Sequence, residues 1–250
     1  FHAFARETGA RFGVQVGNNV QQSRWDLADF VLSSSTLPES GLVHPDTWGR
    51  VASHHGVPAV VYHQEFSLDT FRPEWPPADR RTVASFVNCF PETPPYPAFL
   101  AFARAHADDF DFKVYGAYGS APLDELAAGD VTVVTDVADA MRASRVGIHE
   151  KAWSDGFGHV IHDWFAIGRP VVGVPRYYTG KLAGPLFVEG VTSFDVESRS
   201  EHEMVTLLRR LRDDDEYHRT ICEAAARRFG EVVDFDGEAA AIASMLGAAL

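Results

Sequence analysis

The residues best suited to bind a charged ligand lie in the segment 155–172, which reads Asp-Gly-Phe-Gly-His-Val-Ile-His-Asp-Trp-Phe-Ala-Ile-Gly-Arg-Pro-Val-Val. Gly156 and Gly158 allow a tight turn in which the backbone can approach a ligand closely. A helix that begins at such a turn presents unpaired N–H groups and a positive dipole end, which favour a phosphate. Asp155 and Asp163 would then place a hydroxyl-binding carboxylate on either side of the anion.

The elements around this turn follow from the same segment. Apolar residues at helical spacing predict a helix over 158–167. Gly168 suits the end of that helix, Pro170 prevents its continuation, and 171–174 reads as a buried strand. We expect Gly158→Val to remove phosphate binding while leaving the fold largely intact. If the glycines serve only the packing of an ordinary strand-helix unit, this change should instead destabilise the fold.

The segment resembles the donor-binding signature of retaining glycosyltransferases with the two-domain GT-B fold (family 4-like, group 1). That signature runs Glu-Gly-Phe-Gly, four residues, Glu, and later Gly-x-Pro-Val-Val, and here Asp155 and Asp163 replace the two glutamates. The resemblance implies that Asp155 contacts the donor sugar and Asp163 the nucleotide ribose. It also implies that Gly156, Phe157 and Gly158 bind the diphosphate.

Five further residues are candidates for the same crevice. Lys151 and His149 come at or just after a predicted strand, 146–149; Lys151 offers a cation for a diphosphate, and His149 a hydrogen bond to phosphate or sugar. Lys181 is a second cation candidate. The resemblance adds Gly119, in a glycine turn at the nucleotide pocket, and Asp136, after a strand whose end meets the base.

One loop departs from the family pattern. The family follows the first strand of its donor domain with a glycine, an arginine and a lysine that hold the diphosphate, whereas 88–97 here contains no lysine or arginine. Either Lys151 and Lys181 compensate, or the donor is bound differently, or the site no longer turns over. His159 and His162 have a spacing that could bind a metal, but no partner ligands follow at matching spacing, so we expect no metal site.

Composition limits the class of protein. The formal net charge of −13 disfavours non-specific binding to nucleic acid or to an anionic membrane. Cys89 and Cys222 are too few and too far apart for a disulfide framework. No apolar run approaches the roughly 18 residues that span a bilayer. We therefore expect a soluble cytoplasmic protein, and the initial Phe1 indicates part of a longer product.

Strand and helix signals alternate along the chain, which predicts an α/β fold with parallel sheets. Among them are predicted strands at 30–33 and 146–149 and predicted helices at 137–143 and 181–187. With the resemblance, this implies a GT-B-like arrangement of two Rossmann-like lobes, the first incomplete. The proline-rich segment 71–79 marks a boundary. We predict the end of an acceptor-side domain at 1–73, a nucleotide-sugar donor domain at 74–236, and a helix at 237–250 that returns to the first domain.

The leading functional hypothesis is a metal-independent glycosyltransferase that moves a sugar, with retention, from a nucleotide-sugar donor to an acceptor. The donor would be a UDP-, GDP- or ADP-sugar acting as co-substrate, and no tightly bound cofactor is expected. The acceptor could be a glycan, a lipid, a small molecule or a nucleic-acid base. Two alternatives stay open: a degenerate module that binds a nucleotide or sugar without transfer, and a nucleotide-sugar epimerase of the same fold.

Overall fold

The structure is a computed structural model of the 250-residue chain. It describes residues 2–16, 27–33, 58–64, 66–75, 77, 79–88, 90–115, 129–132, 137–151, 157–179 and 181–247. All statements below concern these residues.

The described strands form two parallel sheets. The first has the order β1-β2-β3, with β1 at Gly13–Val16, β2 at Phe30–Ser33 and β3 at Ala59–Val61. The second has the order β6-β5-β4-β7-β8-β9. Its strands are β4 Thr82–Ser85, β5 Asp111–Tyr115, β6 Gly129–Thr132, β7 Val146–His149, β8 Val171–Gly173 and β9 Ser193–Asp195. The α/β fold class with parallel sheets is thereby confirmed.

The order of the second sheet fixes where a ligand can enter. The chain runs outward from β4 to β5 and β6, then returns to place β7 on the other side of β4. The connections that leave β4 and β7 therefore diverge at the carboxyl edge of the sheet and open a crevice between them. His149, the last residue of β7, lies at this edge.

The described residues form seven α-helices: α1 His2–Thr8, α2 Tyr96–Ala105, α3 Val137–Ala143, α4 His159–Ile167, α5 Glu201–Asp213, α6 Asp215–Val232 and α7 Phe235–Leu246. Side-chain caps define three of their starts. Ser200 and Glu203 form a reciprocal capping box at α5, and Asp214 and Asp234 accept from backbone N–H groups at α6 and α7. Within the described ranges, no helix is long and apolar enough to cross a membrane, and a cytoplasmic location stays a prediction.

The second sheet is buried on both faces. Val83 and Ala84 are neighbours on β4, but they belong to different apolar clusters, one containing residues of α2 and α5 and the other residues of α4 and α6. Successive strand residues point to opposite faces, so each face carries its own core. Gly147 belongs to the second face because a β-carbon there would meet the Trp164 ring at 2.5 Å.

The segment that connects the two sheets is held to the second sheet's part of the chain by hydrogen bonds from Arg169. Arg169 is 1% exposed and donates to the backbone carbonyl of Glu74 at 2.8 Å and to that of Ser144 at 3.0 Å. The segment 71–75 has no helix or strand, as its prolines predict. The domain limits at 73 and 236 stay predictions.

Candidate functional site

The candidate site is centred on helix α4, which is flanked at each end by a glycine in the left-handed backbone conformation. Gly158 at its start has φ +83° and ψ 46°, and Gly168 at its end has φ 71° and ψ 52°. Both conformations favour glycine, as predicted for Gly168. The predicted helix over 158–167 is observed at His159–Ile167.

Gly158 is packed more tightly than the sequence suggested. It is buried, and a β-carbon there would lie 2.9 Å from Tyr178 Cε1 and 3.0 Å from Ala183 Cβ. The expectation that Gly158→Val would leave the fold largely intact is therefore wrong. The residue is needed for packing and backbone conformation, whether or not the turn also binds a phosphate.

Asp163 lies one turn after His159 in α4 and is only 4% exposed. Its Oδ1 atom is buried, and no described group forms a hydrogen bond with it. Burial raises the pKa of the Asp163 carboxyl to about 7, because the charged form loses its hydration. A buried carboxyl with an unused acceptor and a perturbed pKa is characteristic of functional sites.

His149 and Lys181 are brought together with Gly158 by a residue that sequence reasoning did not select. The ring of Tyr178 lies 6.1 Å from the ring of His149 and 5.5 Å from Lys181 Nζ. Tyr178 is also the side chain that a β-carbon at Gly158 would meet. Lys181 is 7% exposed and His149 is 2% exposed. In the sequence, the position of Tyr178 in the loop before Lys181 was the feature that could have indicated it, and that signal is weak.

Phe157 packs on the first turn of α4. Its ring is stacked on that of His162, with centroids 4.1 Å apart and an angle of 5° between the planes. His162 is fully buried, and its Nδ1–H donates to the carbonyl oxygen of Gly158 at 2.9 Å. The described atoms of Phe157 therefore serve to hold the turn, and a direct contact with a ligand stays a prediction.

Lys151 and Glu150 follow β7. Lys151 is partly exposed, and its role as a cation for a diphosphate stays a prediction. Glu150, which sequence reasoning missed, lines a cavity of about 230 Å³ together with Phe99 and Met204. Burial, and then repulsion from Glu197, raises the pKa of Glu150 to about 7. Ile148 lines the same cavity, so Glu150 faces away from the Tyr178 side.

Four predicted site residues, Asp155, Gly156, Gly119 and Asp136, lie outside the described residues. The part of the chain that is described contains no group of three or more His, Cys, Asp or Glu side chains able to hold a metal ion. Metal independence stays a prediction.

Comparisons with solved structures identify the fold. No protein-family profile matches the chain, and no curated protein matches it by sequence. Anabaena HepE, solved in complex with UDP and glucose, superposes with a TM-score of 0.69 at 14% identity over 99% of this chain and 74% of HepE. The pneumococcal O-GlcNAc transferase GtfA, in complex with UDP and GlcNAc, gives 0.65 at 12% identity over 98% of this chain and 54% of GtfA.

A third structure matches only part of the chain. The C-terminal domain of a group 1 glycosyl transferase, LpcC from Francisella tularensis, gives a TM-score of 0.50 at 15% identity and covers 67% of this chain and 97% of that domain. At such identities the likeness is one of fold. The chain therefore has the GT-B fold of glycosyltransferases. The two parallel sheets, the crevice at the edge of the second sheet and the glycine at the start of α4 belong to that fold.

Proposed function

We propose that the chain is the donor-binding part, with a portion of the acceptor side, of a glycosyltransferase that uses a nucleotide-sugar donor. The observation that carries the proposal is the buried carboxyl of Asp163, whose Oδ1 has no hydrogen-bond partner in the described residues. A pair of ribose hydroxyls would supply the donors that this carboxylate lacks. The fold supports the same assignment, because HepE and GtfA hold UDP.

In this proposal each candidate residue has a stated task. Asp163 binds the ribose, and the turn ending at Gly158 offers backbone N–H groups to the diphosphate at the start of α4. Lys181 and Lys151 supply positive charge, and His149 contacts a phosphate or the sugar. Asp155 contacts the sugar, and Gly119 and Asp136 line the nucleotide.

Catalysis in such a site is mainly electrostatic. A nucleophilic atom of the acceptor bonds to the sugar carbon and loses its proton while the bond from that carbon to the diphosphate breaks, and negative charge develops on the leaving phosphate oxygen. Backbone N–H groups, the helix dipole and Lys181 stabilise that charge, and they need no rearrangement when it forms. We propose retention at the sugar carbon, no metal ion and no resident cofactor; the acceptor class stays open.

The experiment is a calorimetric titration of the chain with UDP, GDP and ADP, followed by the same titration of Asp163→Asn. Loss of a charged hydrogen bond should weaken binding by about 1–3 kcal/mol. Glu150→Gln is the matched control, because it neutralises a partly buried carboxyl whose pKa is also about 7 and which faces another cavity. Equal affinities of wild type and Asp163→Asn would remove Asp163 from the site.

A second candidate function is a binding module that no longer transfers sugar. It is favoured by one observation, the absence of lysine and arginine from 88–97. Incubation with a UDP-sugar separates the cases: binding without release of UDP in the presence of glycan acceptors favours the module. Conversion of the bound sugar without any acceptor would instead indicate an epimerase.

A further inference from the structure

His63, in the segment that follows β3, is held by a carboxylate from the C-terminal helix α7. Its backbone N–H donates to Glu238 Oε2 at 2.8 Å, and its Nδ1–H donates to Glu238 Oε1 at 2.5 Å. The side chain is 5% exposed, whereas that of Glu238 is 22% exposed. Two hydrogen bonds to one carboxylate fix both the position of the imidazole and the nitrogen that carries its proton.

The other ring nitrogen of His63 is buried without a hydrogen-bond partner in the described part of the chain. The imidazole lies against the first turn of α4, with its centroid 5.2 Å from that of His162 and 6.1 Å from that of Phe157. Both contacts are edge-to-face. The Nδ1–H of His63 has its partner in Glu238, but filling this space does not require the second ring nitrogen, and a buried imidazole nitrogen without a partner costs free energy.

The charge balance of the donor site gives this nitrogen a use. A nucleoside diphosphate carries several negative charges, yet the loop after β4, residues 88–97, has no lysine or arginine. An imidazolium whose Nδ1–H is bound to Glu238 retains a second N–H donor on Nε2.

We propose that His63, held by Glu238, is a phosphate-binding residue of the donor site, its Nε2–H donating to the diphosphate at the start of α4. This inference rests on the proposed function, and it goes beyond that function by assigning a phosphate contact to a histidine in the segment after β3. It also ties α7 to the donor: Glu238 orients His63, and His63 meets the anion.

The test compares three ligands that carry different parts of the donor. UDP has both ribose and diphosphate, inorganic pyrophosphate has only the phosphates, and uridine has only the nucleoside. His63→Asn keeps an N–H near the position of Nδ1 for Glu238 and removes Nε2. We expect binding of UDP and of pyrophosphate to weaken about tenfold or more, as for loss of a charge-assisted hydrogen bond, with uridine affinity unchanged. Asp163→Asn should give the complementary result, weaker uridine and UDP but unchanged pyrophosphate.

Two further variants guard the interpretation. Glu238→Gln removes the carboxylate that accepts from both the backbone N–H and the Nδ1–H of His63, so the ring is positioned less firmly and pyrophosphate should again bind several-fold more weakly. His106→Asn disrupts another His–Glu pair, in which Nε2 lies 3.0 Å from Glu201 Oε1, and should change no affinity. Thermal melts of all variants establish that the folded protein is being titrated.

The outcomes distinguish this inference from the proposed function. If wild type binds UDP and pyrophosphate and His63→Asn binds them equally well, or loses uridine as strongly as UDP, the inference is overturned and the proposed function stands. If wild type binds none of UDP, GDP, ADP and pyrophosphate, both are overturned.

Discussion

Replacing Asp163 by asparagine should make the protein more stable at neutral and alkaline pH, although the residue lies at the proposed ligand site. The pKa of Asp163 is about 7 in the folded chain and 3.8 in the reference state. The unfolded chain therefore loses this proton near pH 4, whereas the folded chain keeps it up to about pH 7. Between these values the unfolded state binds fewer protons, and the stability of the wild type falls as the pH rises.

The size of the effect follows from the shift. One pKa unit corresponds to about 1.36 kcal/mol. The shift from 3.8 to about 7 therefore lowers the free energy of unfolding of the wild type by about 4 kcal/mol once the pH exceeds 7. The amide of Asp163→Asn does not ionise, and near pH 4 the two side chains are both neutral. The difference in the free energy of unfolding should therefore be small near pH 4, grow with pH, and become constant above about pH 7, with the variant the more stable.

Urea denaturation of wild type and Asp163→Asn at half-unit steps from pH 4 to pH 8 measures this difference directly. Other titrating groups, including Glu150, are common to both proteins and cancel. Glu150→Gln should show the same direction of pH dependence, since its carboxyl also has a raised pKa. A difference that does not change with pH, or a variant that is less stable at pH 8, would refute the argument that an uncompensated carboxylate is buried in α4.

Two further predictions concern the packing around the site. Gly158→Ala should lower the free energy of unfolding by about 2–5 kcal/mol, because left-handed strain and a close contact with Tyr178 add together. Gly190 also has a left-handed φ of +71°, but it has open space around it. In the same denaturation assay Gly190→Ala should therefore cost only the strain, about 1–2 kcal/mol. Arg169→Leu should cost more than about 3 kcal/mol, because four backbone carbonyls lose their donor; a midpoint in urea close to that of wild type would contradict this.

Local patterns in the sequence predicted most of the second sheet and its helices. The strands at 30–33 and 146–149 and the helix at 137–143 were predicted at their observed limits, because apolar runs end abruptly at polar residues or turns there. The predicted helix at 181–187 is wrong: the segment forms a short 3₁₀ turn, Gly184–Leu186. Gly184 is packed where a β-carbon would meet the Tyr178 carbonyl at 2.4 Å, a tertiary constraint that no periodicity reports.

The site was predictable only where its residues are close in sequence. One motif singled out Gly158 and Asp163, and the end of the preceding strand singled out His149, because all three lie in one strand-helix unit; their roles stay predictions. His63 and Glu238 are 175 positions apart in the sequence, and their contact is visible only in the folded chain, where α7 lies against the segment after β3. The helix α1, His2–Thr8, was not predicted either, since it carries no side-chain signal for a cap at its start.

The buried carboxyl of Asp163 carries a cost that the apolar residues of α4 can offset. Ile161, Trp164, Phe165 and Ile167 are fully buried, and each such side chain contributes about 1.5–3 kcal/mol. Their sum exceeds the roughly 4 kcal/mol attributed above to the Asp163 carboxylate at neutral pH, so the helix stays folded with a group that destabilises it. Apolar packing does not explain an acid at position 163. A ligand that donates hydrogen bonds from two hydroxyl groups does explain it. Saturating uridine should therefore stabilise the wild type more than Asp163→Asn at pH 8. If uridine stabilises both proteins equally, the burial of Asp163 has no connection with the ribose, and the observation that carries the proposed function is lost.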